Sequence, residues 1–167
     1  MAGRGSLQSA PPVMLGVVVL AVTQFVIIVD ETAVSLLGPA MARDLQLGAE
    51  ARHVLVTPFA LAFVCALPLT GILFRRADPR GAVAPAVLIF ALTAAAGGLA
   101  QDLPQLVAAR AAQGGAAAIS ATCLLASLHL VTAGHLRRIR AFAVFSLISG
   151  SGAVAALVLV APLAGLS

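Results

Sequence analysis

The 167-residue chain has no lysine, no tryptophan and no tyrosine, and only 10% of its residues are charged. Soluble globular domains carry about 25% charged and about 45–50% apolar residues. Here 61% of residues are hydrophobic and the mean hydropathy is +1.09, which excludes a water-soluble domain and indicates an integral membrane protein. Without Trp or Tyr, the aromatic belts that often mark the lipid interface are missing as well. The net charge of +4 carries no lysine contribution, and the arginines sit in turns between apolar runs, a pattern that fits a membrane surface rather than nucleic acid. Cys65 and Cys123 both lie within apolar runs without neighbouring ligand-type side chains. They read as small buried hydrophobes rather than as a disulfide or a metal site. An enzyme is not indicated: no Ser/His/Asp grouping, metal-ligand spacing or Gly-rich nucleotide loop stands in a credible context, and no cofactor is implied.

What is present is a series of apolar runs, each meeting the roughly 20 residues an α-helix needs to cross about 30 Å of hydrocarbon. The spans are residues 13–39, 55–74, 81–100, 105–131 and 141–161, after a tail of residues 1–12. The first run is too long for the core of a cleaved signal peptide and reads as a span. The expected fold is an all-α integral membrane bundle of five transmembrane helices, with residues 13–167 as the transmembrane domain. Arg4, Arg75, Arg76, Arg80, Arg137, Arg138 and Arg140 fall on one side of the membrane, against Arg43 and Arg52 on the other. The excess of positive charge places the N-terminus in the cytoplasm of a multi-pass plasma-membrane protein. Small residues share one face of span four (Gly114, Ala117 and Ala121 with Arg110) and one face of span five (Ser146, Ser149, Gly150, Ala153 and Ala156). Such faces let helix backbones approach closely in lipid.

Three charges interrupt the apolar runs. Asp30 and Glu31 lie within span one and Arg110 within span four. A charge near the bilayer centre costs about 3 kcal/mol or more, so such residues face a bundle interior or a water-filled path. On a helix of 3.6 residues per turn, Gln24, Glu31, Ser35 and Gly38 share a stripe, with Asp30 one step round. Arg110 lies about 9 Å from the outer end of its span and Asp30 about 13 Å from the outer end of its own, at 1.5 Å per residue. These depths bring an Asp30–Arg110 ion pair or hydrogen-bonded link within reach, with Glu31 as the second acid. Burial and a neighbouring guanidinium act on a carboxyl's proton affinity in opposite senses, so such a group can be tuned to load and release a proton. A static pair that only fixes helix packing, or a water-exposed acid at the interface, are the alternatives.

The stretch Asp30-Glu31-Thr32-Ala33-Val34-Ser35-Leu36-Leu37-Gly38-Pro39 resembles the first-helix pattern Asp-x-Thr-x-Val-Asn-Val-Ala-Leu-Pro of the drug:proton antiporter branch of the major facilitator superfamily, the fourteen-helix multidrug efflux carriers. Asp30, Thr32, Val34 and Pro39 match, and Ser35 stands where Asn is usual. Leu106-Val107-Ala108-Ala109-Arg110-Ala111-Ala112-Gln113-Gly114 is similar to the superfamily's fourth-helix motif, whose Arg is linked to proton coupling. The superfamily's turn after helix two, Gly-x-Leu-Ala-Asp-Arg-x-Gly-Arg-Arg, is matched at Gly71, Leu73, Arg76 and Arg80. Arg75 takes its Asp position and Asp78 its second Gly position. The fifth-helix motif Gly-x-x-x-Gly-Pro-x-x-Gly-Gly is eroded around Gly152.

This resemblance implies the N-terminal part of a proton-coupled exporter of drugs or other small amphipathic molecules. Asp30, with Glu31, would be the protonatable group and Arg110 its partner, along a path that includes Gln24 and Gln113. Gly71, Arg76, Asp78 and Arg80 would form the cytoplasmic turn. Protons, a small-molecule substrate and the bilayer are the implied partners. The superfamily's carriers rock two six-helix halves about a site between them. Five spans do not complete one half, so the expectation is a partial or truncated carrier. The alternative is a transport-inactive membrane fragment or interaction partner that needs another chain.

Overall fold

In a lipid environment a backbone amide has no water to bond to, so an apolar segment satisfies its own N–H and C=O groups as a helix. The computed structural model, which describes residues 10–44, 51–74, 78–132 and 135–164, shows that outcome. Its elements are α1 (Ala10–Asp44), α2 (Ala51–Leu73), α3 (Pro79–Gly98), α4 (Leu103–Val131) and α5 (His135–Ala164). Among the described residues the protein is an all-α bundle whose five helices are long and apolar enough to cross a membrane.

Several helices outrun the spans expected from the sequence. α1 continues through Pro39 to Asp44, and α5 continues through Pro162 to Ala164. Proline removes one donor and normally stops a helix in water. Within an apolar run the remaining amides have no better partners than the helix itself, so it persists. The start of α4 has a sharper signal. Asp102 is the N-cap and accepts from the Gln105 amide at 2.8 Å; the Gln105 side chain in turn reaches Asp102 and the Gln101 amide. This is a reciprocal cap, with Pro104 in the first turn where a missing N–H costs nothing. Hydroxyls inside the helices bond back to the carbonyl four residues earlier, as Thr23, Thr32, Ser35, Ser120 and Thr122 do. Polar side chains are thereby accommodated without water.

α4 is the central helix: half of its membrane window is buried, against 11% for α2 and for α3. It packs along both α2 and α3, while α1 packs along α5 and touches α4 and α2. Val17 and Ala21 of α1 meet Leu128 of α4 and Phe145 of α5 in one apolar cluster. Ile27 of α1, Phe90 of α3 and Leu124 of α4 meet in another.

Glycines make the two tightest seams. A Cβ on Gly114 would run into the Phe59 backbone of α2, and one on Gly152 would lie 2.8 Å from the Phe25 carbonyl of α1. The face of α5 expected to pack closely is therefore shifted. Ser149, Gly152 and Ala156 are buried, whereas Ser146 and Gly150 are exposed, because α5 presents residues spaced from Phe145 and not from Ser146 toward α1. Cys123 is buried as expected, but Cys65 is exposed on the outward face of α2, where an apolar thiol can meet lipid.

Candidate functional site

The interior charges meet where α1 passes α4. The two helices run in opposite directions, so residues rising along α1 meet residues descending along α4. Arg110 is only 3% exposed and spends four donated hydrogen bonds there. Its Nη1 donates to Glu31 Oε1 at 3.3 Å and its Nη2 to Glu31 Oε2 at 3.4 Å, a two-point ion pair. Nη1 also donates to Gln113 Oε1, and Nε donates to the Leu55 carbonyl of α2 at 3.1 Å. The guanidinium lies over the Phe59 ring, 4.6 Å from its centroid. A guanidinium taken out of water needs this density of partners, because each unpaired donor would cost its full desolvation.

Asp30 does not pair with Arg110 as the sequence suggested. Its Oδ2 accepts from Gln113 Nε2 at 2.6 Å, so the amide of Gln113 bridges Asp30 and Arg110. Helix geometry explains the exchange of roles. Glu31 lies on the same stripe as Gly38, which is buried and packs toward Leu55, so that stripe faces α4 and the start of α2. Asp30 is rotated by one residue and is a methylene shorter. It meets Gln113, about one helical turn along α4 from Arg110. The four side chains form one chain of contacts: Asp30, Gln113, Arg110, Glu31.

The other expected site residues lie outside this cluster. Gln24 sits about two turns from Glu31 on α1, and its Oε1 is buried without a hydrogen-bond partner among the described residues. Gly71 is exposed near the end of α2, with open space where a Cβ would be, and Asp78 is exposed just before α3. Arg76 lies outside the described residues, as does the side chain of Arg80. Sequence reasoning missed Leu55 and Phe59. A backbone carbonyl carries no side-chain signal, and a phenylalanine in an apolar run reads as lipid-facing until the neighbouring helix is known.

Asp30 also borders an apolar cavity of about 400 Å³ between α1 and α3, with Val22, Val26, Val87, Phe90 and Ala94 among its walls. Through Thr23, Val87 and Ala91 this space adjoins a larger one of about 930 Å³, reached by Leu15, Val83, Ser127 and Val131. The larger cavity is lined by none of Asp30, Glu31, Arg110 and Gln113. Among the described residues, no group of three or more His, Cys, Asp or Glu is placed to hold a metal ion.

Comparison with known proteins agrees with the motifs in α1 and α4. The chain is 34% identical over 142 residues to the puromycin resistance protein pur8 of Streptomyces alboniger, an alignment covering 85% of this chain and 28% of that protein. It is 32% identical over 143 residues to the cephamycin export protein CmcT of Amycolatopsis lactamdurans, covering 85% of this chain and 29% of that protein. The chain thus spans under a third of the length of these curated relatives. No solved structure matches it significantly. Residues 20–166 match the family described as the Major Facilitator Superfamily, so the match takes in every described helix from within α1 onward. The chain is a multi-pass membrane protein and belongs to the Major Facilitator Superfamily, a family of carriers rather than enzymes.

Proposed function

We propose that these helices form the proton-handling part of a carrier that exports drugs or other small amphipathic molecules across the plasma membrane, with the N-terminus in the cytoplasm. The observation that carries this reading is the cluster of Asp30, Gln113, Arg110 and Glu31, sequestered between helices that are otherwise apolar. A structural ion pair needs one acid for one base. Here two acids share one guanidinium, directly from Glu31 and through the Gln113 amide from Asp30, so one carboxylate can take up a proton while the other keeps Arg110 paired. Protonation of Asp30 removes the charge that strengthens its bond from Gln113. That loosens one of the two polar ties between α1 and α4 and leaves the Glu31–Arg110 tie in place. A cationic or polar group on a substrate that competes with the proton for Asp30 would exchange inward proton movement for outward export. The relatives, a puromycin resistance protein and a cephamycin export protein, support an exported small molecule.

The test is proton-driven drug export measured in membrane vesicles, with Asp30→Asn as the variant. Loss of coupled export with unchanged membrane insertion is expected, and undiminished export by the variant would overturn the assignment. A second reading has an observation of its own, the chain's coverage of under a third of its relatives. Alternating access needs a second body to rock against. On that reading these five helices are transport-inactive by themselves and work only beside further helices, including those of another chain. Export that appears only when the rest of a carrier is co-expressed would favour it.

A further inference from the structure

We propose that Phe59 is a positioning residue for Arg110, holding the guanidinium in the plane from which it reaches Glu31 and Gln113. The inference rests on the coupling role proposed for that cluster. A guanidinium donates hydrogen bonds only within its own plane, so its two faces are left to packing. The Arg110 guanidinium carbon lies over the Phe59 ring, 4.6 Å from its centroid. A cation over an aromatic face is attracted by the ring's quadrupole, and more strongly where water is excluded. Within the plane, Nε is held by the Leu55 carbonyl at 3.1 Å. Leu55 and Phe59 are four residues apart and so lie on one face of α2. That helix therefore holds Arg110 by a hydrogen bond to Nε and by the ring beneath its guanidinium carbon, and Nη1 and Nη2 are left to Glu31 and Gln113.

Phe59 is itself fixed at both ends. Its ring stacks on Phe63, with centroids 6.0 Å apart and planes 15° from parallel. Its backbone lies against Gly114, where a Cβ would collide with the Phe59 carbonyl. The glycine one turn along α4 from Arg110 thus brings the ring close enough to cover the guanidinium. A leucine at position 59 would fill similar apolar space but has no ring face, so the guanidinium could tilt out of the plane that a two-point pair with Glu31 requires.

The test uses the chain reconstituted in liposomes with ¹⁵N-arginine and ¹³C-glutamate. Solid-state NMR then reads the contact between the Arg110 Nη atoms and the Glu31 carboxyl carbon, assigned by its loss in Arg110→Met. In the native chain the contact is present and the guanidinium protons are shifted upfield by the ring. Phe59→Leu loses the ring shift and the contact, and Phe59→Tyr restores both. Gly114→Ala, which displaces the Phe59 backbone while keeping the ring, also weakens the contact. Export measured in the same variants falls about tenfold in Phe59→Leu and recovers in Phe59→Tyr. A native-strength contact in Phe59→Leu, or a Tyr variant as impaired as the Leu one, overturns the proposal. Should Asp30→Asn leave export untouched, the coupling reading fails, while the NMR comparison still decides the role of Phe59.

Discussion

The pairing of Arg110 with Glu31 rather than Asp30 can be measured by double-mutant cycles. Arg110→Met removes the guanidinium but keeps a long apolar stem. It takes the Arg110 donor away from the Glu31 carboxylate, Gln113 Oε1 and the Leu55 carbonyl. At 3.3 Å and an effective dielectric constant of about 20, the gross attraction of the ion pair is about 5 kcal/mol. The Glu31 side chain is 24% exposed, so water screens part of that attraction. Removing one partner of a buried pair costs about 3–5 kcal/mol, and the lower end applies here. Of that, a coupling energy of about 2 kcal/mol between Arg110→Met and Glu31→Gln is expected, because the double variant no longer leaves the Glu31 carboxylate without its guanidinium. Arg110→Met and Asp30→Asn should couple by about 1 kcal/mol or less, since their link passes through Gln113, and Gln113→Leu should abolish most of it. Reversible unfolding in bicelles, followed by steric trapping, reads all of these values. Coupling of Arg110 to Asp30 equal to or above its coupling to Glu31 would refute the geometry, as would an Arg110→Met cost near zero.

Two further outcomes follow from the helix seams. Gly152→Ala should destabilise the α1–α5 pair by about 1–3 kcal/mol, because its new methyl meets the Phe25 carbonyl and Ile28. Gly150→Ala, two residues away in open space, should be neutral or stabilising by up to about 1 kcal/mol, and similar thermal shifts for the two would count against the α5 orientation. The Thr70 hydroxyl lies 2.8 Å from that of Thr122, joining α2 to α4, and Thr70→Val should cost about 0.6 kcal/mol, the usual worth of such a bond between membrane helices. A loss above about 2 kcal/mol in the same unfolding assay would mean that the bond belongs to a larger polar network.

Hydropathy made the membrane class and the helices legible, because a run of twenty apolar residues has one low-energy answer in lipid. The motif residues made the family legible. The reciprocal cap at Asp102 and Gln105 was less visible, and α4 begins at Leu103, ahead of the expected Gln105, because capping depends on side-chain geometry as well as on residue type. The α5 face illustrates a limit of periodicity. Of the expected face, Ser149 and Ala156 are buried while Ser146 and Gly150 are exposed, and only the contact with α1 selects the row that joins Ser149 and Ala156 to Phe145 and Gly152.

The sequence by itself placed three ionisable side chains, Asp30, Glu31 and Arg110, within apolar runs, where lipid offers them no partner. It could not decide which acid meets the arginine. Asp30 and Glu31 are neighbours in the chain, and a rotation of α1 by one residue exchanges them. The tertiary structure made that choice by packing the Gly38 side of α1 toward the start of α2, which turns Glu31 to Arg110 and leaves Asp30 to Gln113. It also supplied the Leu55 carbonyl and the Phe59 ring, partners that exist only once two helices distant in sequence lie side by side.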